Sequence, residues 1–134
     1  SAIGEKNNPI VFVSINDNEY ENVESNFGFK HDFWAGIHIR SSEKSIFDNC
    51  IFKFGARRDN DLNGVINIED SNNIIIQNST FKENYYAIKI KNSKNININN
   101  CNFSNNFYGI NSLNSNILLS NNIYNSNIIN EIIK

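Results

Sequence analysis

Residues 87–103 read AIKIKNSKNININNCNF. Ile88-Lys89-Ile90-Lys91 and Ile96-Asn97-Ile98-Asn99 each alternate apolar with polar residues, the pattern of a short strand with one buried face. Asn and Ser separate the two runs, and Phe103 closes the stretch. The same arrangement returns as GIHIRSSEKSIFDNCIF at 36–52, VINIEDSNNIIIQNSTF at 65–81 and GINSLNSNILLSNNIY at 109–124. Ile37, Ile66, Ile88 and Ile110 align. So do Ile39, Ile68, Ile90 and Ser112, then Phe47, Ile76, Ile98 and Leu119. Asn49, Asn78, Asn100 and Asn121 follow, and Phe52, Phe81, Phe103 and Tyr124 close the units.

Self-similarity of about 22 residues is the mark of a repeat fold. One unit cannot bury its own apolar face. Stacked units can, because each strand pairs with its copy about 4.8 Å away and the inward side chains form columns. The fold expected is therefore all-β: a parallel solenoid, right-handed β-helix in form, of five to six coils. Leucine-rich repeats have similar length, but this chain has four Leu against 23 Ile. An ice-binding solenoid needs a Thr array, and Thr80 is the sole Thr.

The Asn49 column is expected to be structural, since Asn tolerates left-handed backbone and its amide can bond to its copies above and below. This ladder would satisfy turn groups shielded from water. The Phe52 column is expected to form an internal aromatic stack. Cys50 and Cys101 share one position with Ser79 between them. Two coil steps separate them by roughly 9–10 Å, beyond disulfide reach, so two free, buried thiols are expected.

Residues 1–134 are expected to form a single domain, with a polar insertion at 16–32. Formal charge is −2, without the clustered Lys and Arg of a nucleic-acid footprint. No apolar run is long enough to span a membrane, and no signal peptide opens the chain. Asn supplies 30 of the 134 residues. That bias would ordinarily indicate disorder, but the strict register of the repeat argues for a packed solenoid.

Before the repeats, Asn8-Pro9-Ile10-Val11-Phe12-Val13-Ser14 reads as a strand. Trp34-Ala35-Gly36-Ile37 and Ser45-Ile46-Phe47-Asp48-Asn49-Cys50-Ile51-Phe52-Lys53-Phe54-Gly55 follow. In this order the segments resemble the right-handed parallel β-helix repeat proteins of the pectin-lyase-like superfamily, found on bacterial surfaces and in secretions. The resemblance implies an extracellular or surface location. It also implies that the chain is a piece of a larger solenoid, because the family usually has coils before the Asn-Pro-Ile strand. Ala35 stands where the family often has Gly. The 17–29 loop lacks the Gly-Asp-rich pattern of many members.

Three sets of residues are candidates for chemistry. Asp59, Asp61 and Asn63 fit the first half of a calcium loop. The strand expected at Val65 to Ile68 excludes a complete loop, so Ca2+ is the sole cofactor considered, at a partial site, against a plain solvated loop. The outward positions of the first strand column hold His38, Asn67 and Lys89, beside Arg40, Glu69 and Lys91. By analogy with sugar-cleaving β-helices this face would hold a cleft, with Arg40, Lys89 and Lys91 supplying charge and His38 a base. The alternating signs of Arg40, Glu69 and Lys91 equally make a surface ion-pair ladder. Finally, Trp34, Tyr86 and Tyr108 precede this strand and would offer rings to a sugar face, or else pack into a corner.

The favoured reading is a non-catalytic surface or secreted module, a rigid scaffold or a face binding polysaccharide or a surface protein. The alternative is a polysaccharide lyase with its site on the same face. The tail Asn127 to Lys134 is expected to add a final partial strand. Open solenoid edges invite end-to-end self-association or cover by a neighbouring domain.

Overall fold

Alternation and corner residues together build a triangular coil, and the computed structural model, which describes residues 1–13, 34–56 and 64–134, contains five of them. Each coil gives one strand to each of three parallel sheets. Sheet I holds β1 (Ala2–Ile3), β4 (Ser45–Asp48), β7 (Asn72–Gln77), β10 (Lys94–Asn99) and β13 (Ile117–Ser120). Sheet II holds β2 (Ile10–Phe12), β5 (Cys50–Lys53), β8 (Thr80–Lys82), β11 (Asn102–Ser104) and β14 (Ile123–Asn125). Sheet III holds β3 (Ile37–Arg40), β6 (Ile66–Glu69), β9 (Tyr86–Lys91), β12 (Tyr108–Leu113) and β15 (Ile129–Ile133). The expected polar insertion at 16–32 and the candidate calcium ligands Asp59, Asp61 and Asn63 lie outside the described residues.

Like sits upon like. Ile37, Ile66, Ile88 and Ile110 are register partners in turn, as are Ile39, Ile68, Ile90 and Ser112. Ile66, Ile68, Ile88 and Ile90 are at most 2% exposed. The aromatic column is continuous from Phe12 through Phe52, Phe81 and Phe103 to Tyr124. Successive ring centroids lie 4.9, 4.8, 5.0 and 5.2 Å apart in stacked geometry, each contact worth about 1 kcal/mol beyond area burial. Spacing is 22 residues from Asn84 to Asn106 and 21 from Asn106 to Asn127. It widens to 29 from Gly55 to Asn84, the excess falling between Ala56 and Gly64. The tail is a full strand, β15, paired with β12.

From β3 onward the described corners are made the same way. A residue in left-handed backbone turns the chain, and the next residue points inward. The first corner uses Asn49, Asn78, Asn100 and Asn121, all near φ 50°. This column turns the chain as expected, but of its members among the described residues only Asn49, which donates to Gly4 O at 3.4 Å, satisfies a turn backbone group. Asn78, Asn100 and Asn121 are exposed, and the ladder reduces to Asn100 donating to Asn78 at 2.6 Å and Asn78 donating to Asp48 at 2.8 Å. The interior ladder is elsewhere. Asn84, Asn106 and Asn127 follow the left-handed residues Glu83, Asn105 and Ser126. The Asn106 amide donates from Nδ2 to the carbonyl of Phe81 and to Oδ1 of Asn127. Its Oδ1 accepts from the backbone N–H and Nδ2 of Asn84. At the third corner Ser71, Ser93 and Ser115 repeat the device with hydroxyls, Ser71 N–H donating to Ser93 Oγ and Ser93 N–H to Ser115 Oγ. These inward polar residues satisfy corner amides that the strand ladders cannot reach.

Cys50 and Cys101 are free and buried. Burial is the main cause that raises both thiols, Cys101 from 9.0 to about 12. A thiol raised on folding stabilises fully below its unfolded pKa of 9.0 and loses that contribution as pH climbs toward 12; for Cys101 the linked loss is on the order of 4 kcal/mol. At pH 8 both thiols should therefore resist a thiol reagent until the chain unfolds, and the urea midpoint should drop between pH 9 and 12. A fast native-state reaction of Cys101 would contradict this burial.

Candidate functional site

The outward side of sheet III is the place where side chains of differing chemistry converge. Because the strands are in register, His38, Asn67, Lys89 and Asn111 form one outward column and Arg40, Glu69, Lys91 and Leu113 the next. Together they line a groove of about 460 Å³. Glu69 sits between two cations. Its carboxylate accepts from Arg40 at 2.6 Å and faces Lys91 Nζ at 3.5 Å. The Arg40 hydrogen bond and charge are the first causes that hold the Glu69 carboxyl below its ordinary range. Glu69 is thus a fixed anion at neutral pH, unsuited to donate a proton.

Asn67 is outward in register yet buried. Its amide closes on Gly64, with Oδ1 accepting from Gly64 N–H at 2.6 Å and Nδ2 donating to Gly64 O at 2.7 Å. The Asn67 amide therefore braces the turn that enters β6. His38 is exposed, with Nε2 at 3.4 Å from Asn67 Nδ2.

The aromatic candidates divide. Tyr86 and Tyr108 stack with centroids 4.4 Å apart and planes 7° off parallel. Lys89 Nζ lies 4.7 Å from the Tyr86 ring centre, which ties this pair to the groove. Trp34 is not part of that pair. It bridges Gly55, whose own N–H donates to Asn84 Oδ1, so Trp34 shares its column with Gly55 and Asn84 rather than with Tyr86. Its indole N–H donates to Lys53 O at 2.8 Å, and its ring lies 6.2 Å from Phe12. A Cβ on Gly55 would lie 3.1 Å from the indole and 2.5 Å from Val65 Cγ2, so the missing side chain makes room for Trp34 in the corner. Trp34 stands three residues before Ile37, whereas Tyr86 stands two before Ile88; counting to the isoleucine would have shown the offset. Leu113 and Asn111 join the groove through the same columns.

Among the described residues no group of three or more His, Cys, Asp or Glu is placed to hold a metal ion, and no helix is long and apolar enough to cross a membrane. Three parallel sheets and columns of stacked isoleucines are the architecture of a β-helix. The family model for a right-handed β-helix region matches residues 3–132.

The chain belongs to the right-handed β-helix family.

Comparison with curated proteins and with solved structures finds no match. Membership accounts for the three sheets of this right-handed β-helix and is in keeping with the pectin-lyase-like resemblance.

Proposed function

We propose that this right-handed β-helix is a non-catalytic surface or secreted module whose sheet III groove binds carbohydrate, with acidic oligosaccharides as the best fit. The observation that carries the reading is the placing of Lys89 between the Tyr86–Tyr108 stack and the Arg40–Glu69–Lys91 clamp. The parallel rings turn their faces to each other and leave their edges as an apolar ridge against which a sugar can pack. The clamp contains two cations and one anion, and Lys89 adds another cation, so the groove favours an anionic ligand. Rigid strands hold these groups at a fixed spacing, which suits a polymer of regular repeat.

Glycoside hydrolysis uses a pair of carboxyl groups, commonly about 5–9.5 Å apart, one of them able to donate a proton. Glu69 is neutralised by its neighbours and has no second carboxylate among the residues that line the groove. The second reading, a lyase, draws on exposed His38 as a base beside Arg40.

Titration calorimetry with acidic and neutral oligosaccharides separates the readings. Acidic oligomers should bind, with affinity falling as salt rises. Tyr86→Ala or Lys89→Ala should weaken binding about tenfold, the equivalent of about 1.4 kcal/mol. Absence of binding, or an unchanged affinity in Tyr86→Ala, would defeat the proposal. Release of unsaturated product from a uronic-acid polymer would establish the lyase reading instead.

A further inference from the structure

The last coil breaks the rule that builds the others. In sheet III the inward column runs Ile37, Ile66, Ile88 and Ile110, and the register partner of Ile110 is Glu131. Ile110 is 1% exposed, so its partner occupies a position that is core in every coil before it. A carboxylate stands where a further coil would require a hydrocarbon.

A second feature of the same coil agrees. The aromatic column ends in Tyr124, the one phenol among four phenylalanines. Its hydroxyl is buried with no hydrogen-bond partner. Burial raises the Tyr124 pKa, and the Glu131 carboxylate is its next cause. The register with Ile110 puts Glu131 on the bore side of β15, the side that Tyr124 closes.

The edge around Glu131 is otherwise adhesive. Leu118, Ile123 and Ile133 of β13, β14 and β15 are each more than half exposed, and all three strands are the outermost of their sheets. Unpaired parallel edges with apolar side chains are templates for another chain, and an inward-pointing charge is a recognised way to blunt them.

We infer that Glu131 is a stop residue, whose carboxylate in the inward isoleucine column bars a second copy of this chain from stacking on the last coil. Stacking would take the charge out of water into the isoleucine column, where the Tyr124 hydroxyl offers one uncharged hydrogen bond at most.

Sedimentation velocity across a hundredfold concentration range tests this on the chain as it stands. The unaltered protein should stay monomeric. Glu131→Ile should associate, its apparent mass rising at least twofold over that range with an unchanged circular dichroism spectrum. Glu131→Gln, neutral and nearly isosteric, should associate at higher concentration than Glu131→Ile and decides the matter should the Ile variant misfold. Adding Ile133→Lys to the associating variant should restore the monomer, which locates the contact at this edge. The inference is overturned by end-to-end association of the unaltered chain, by folded Glu131→Ile and Glu131→Gln variants that both remain monomeric, or by association that Ile133→Lys leaves untouched.

Discussion

Truncating Phe81 to alanine is expected to lower stability by about 3–5 kcal/mol. Phe81 is fully buried between Phe52 and Phe103, in contact with both rings. Its removal opens a gap in mid-stack, and the gap has little room to close. The strands on either side are held in register by their own ladders, β8 pairing with β5 and β11. A domain of this kind has about 5–15 kcal/mol in total, so the variant should show a sharply reduced urea midpoint. A loss under about 1 kcal/mol would mean that the rings are not stacked as described.

The second large effect is expected at Asn106. Replacement by alanine leaves the backbone N–H of Asn84 without its acceptor and takes one bond each from the Asn84 side-chain amide, which keeps Phe52 O, from the Phe81 carbonyl, and from Asn127 Oδ1, which keeps the Asn106 N–H. Asn84 is fully buried, so water cannot stand in for the lost amide without opening the corner. An orphaned buried donor at about 1–3 kcal/mol, with three further bonds lost, predicts a loss of about 3–5 kcal/mol. Asn100→Ala is the control. Asn100 is exposed and makes one amide bond outward, to Asn78. What alanine loses there is mainly tolerance of φ 52°, about 1–2 kcal/mol. Denaturant melts of the two variants side by side separate the interior ladder from the exterior one, and equal losses would contradict the division.

That contrast also shows what could be read from residues alone. The isoleucine and phenylalanine columns were legible because apolar residues are scarce at intervening positions, so a period of about 22 stands out. The inward asparagines were equally periodic, each three residues after its phenylalanine: Phe81 to Asn84, Phe103 to Asn106, Tyr124 to Asn127. They were hidden because Asn is so abundant that one more column carries little contrast, and because Gly55 interrupts theirs. Choosing between two Asn columns requires knowing which follows the left-handed residue and which occupies it, and backbone geometry decides that.

The groove was partly legible for the same reason as the core. Alternation dictates that His38, Lys89, Arg40, Glu69 and Lys91 face outward together. It does not dictate that Asn67 turns back onto Gly64, or that Glu69 is shared between two cations. Those are outcomes of local hydrogen-bond demand. Trp34 was misplaced because its partner in the second coil is Gly55, which belongs to the column of Asn84 and not to that of Tyr86. Glu131 passed as part of an isoleucine-rich tail, since its meaning depends on the register with Ile110, which only the strand pairing supplies.

The most direct test of vertical stacking is a set of nuclear Overhauser contacts in protein labelled at isoleucine methyls and phenylalanine rings. Ile90 methyls should show cross-peaks to Ile68, and the Phe81 ring to both Phe52 and Phe103, across 22 to 29 residues of sequence. Strong contacts from Ile90 to residues of another column, with none to Ile68, would contradict the stacked coil and with it the groove, the ladders and the stop.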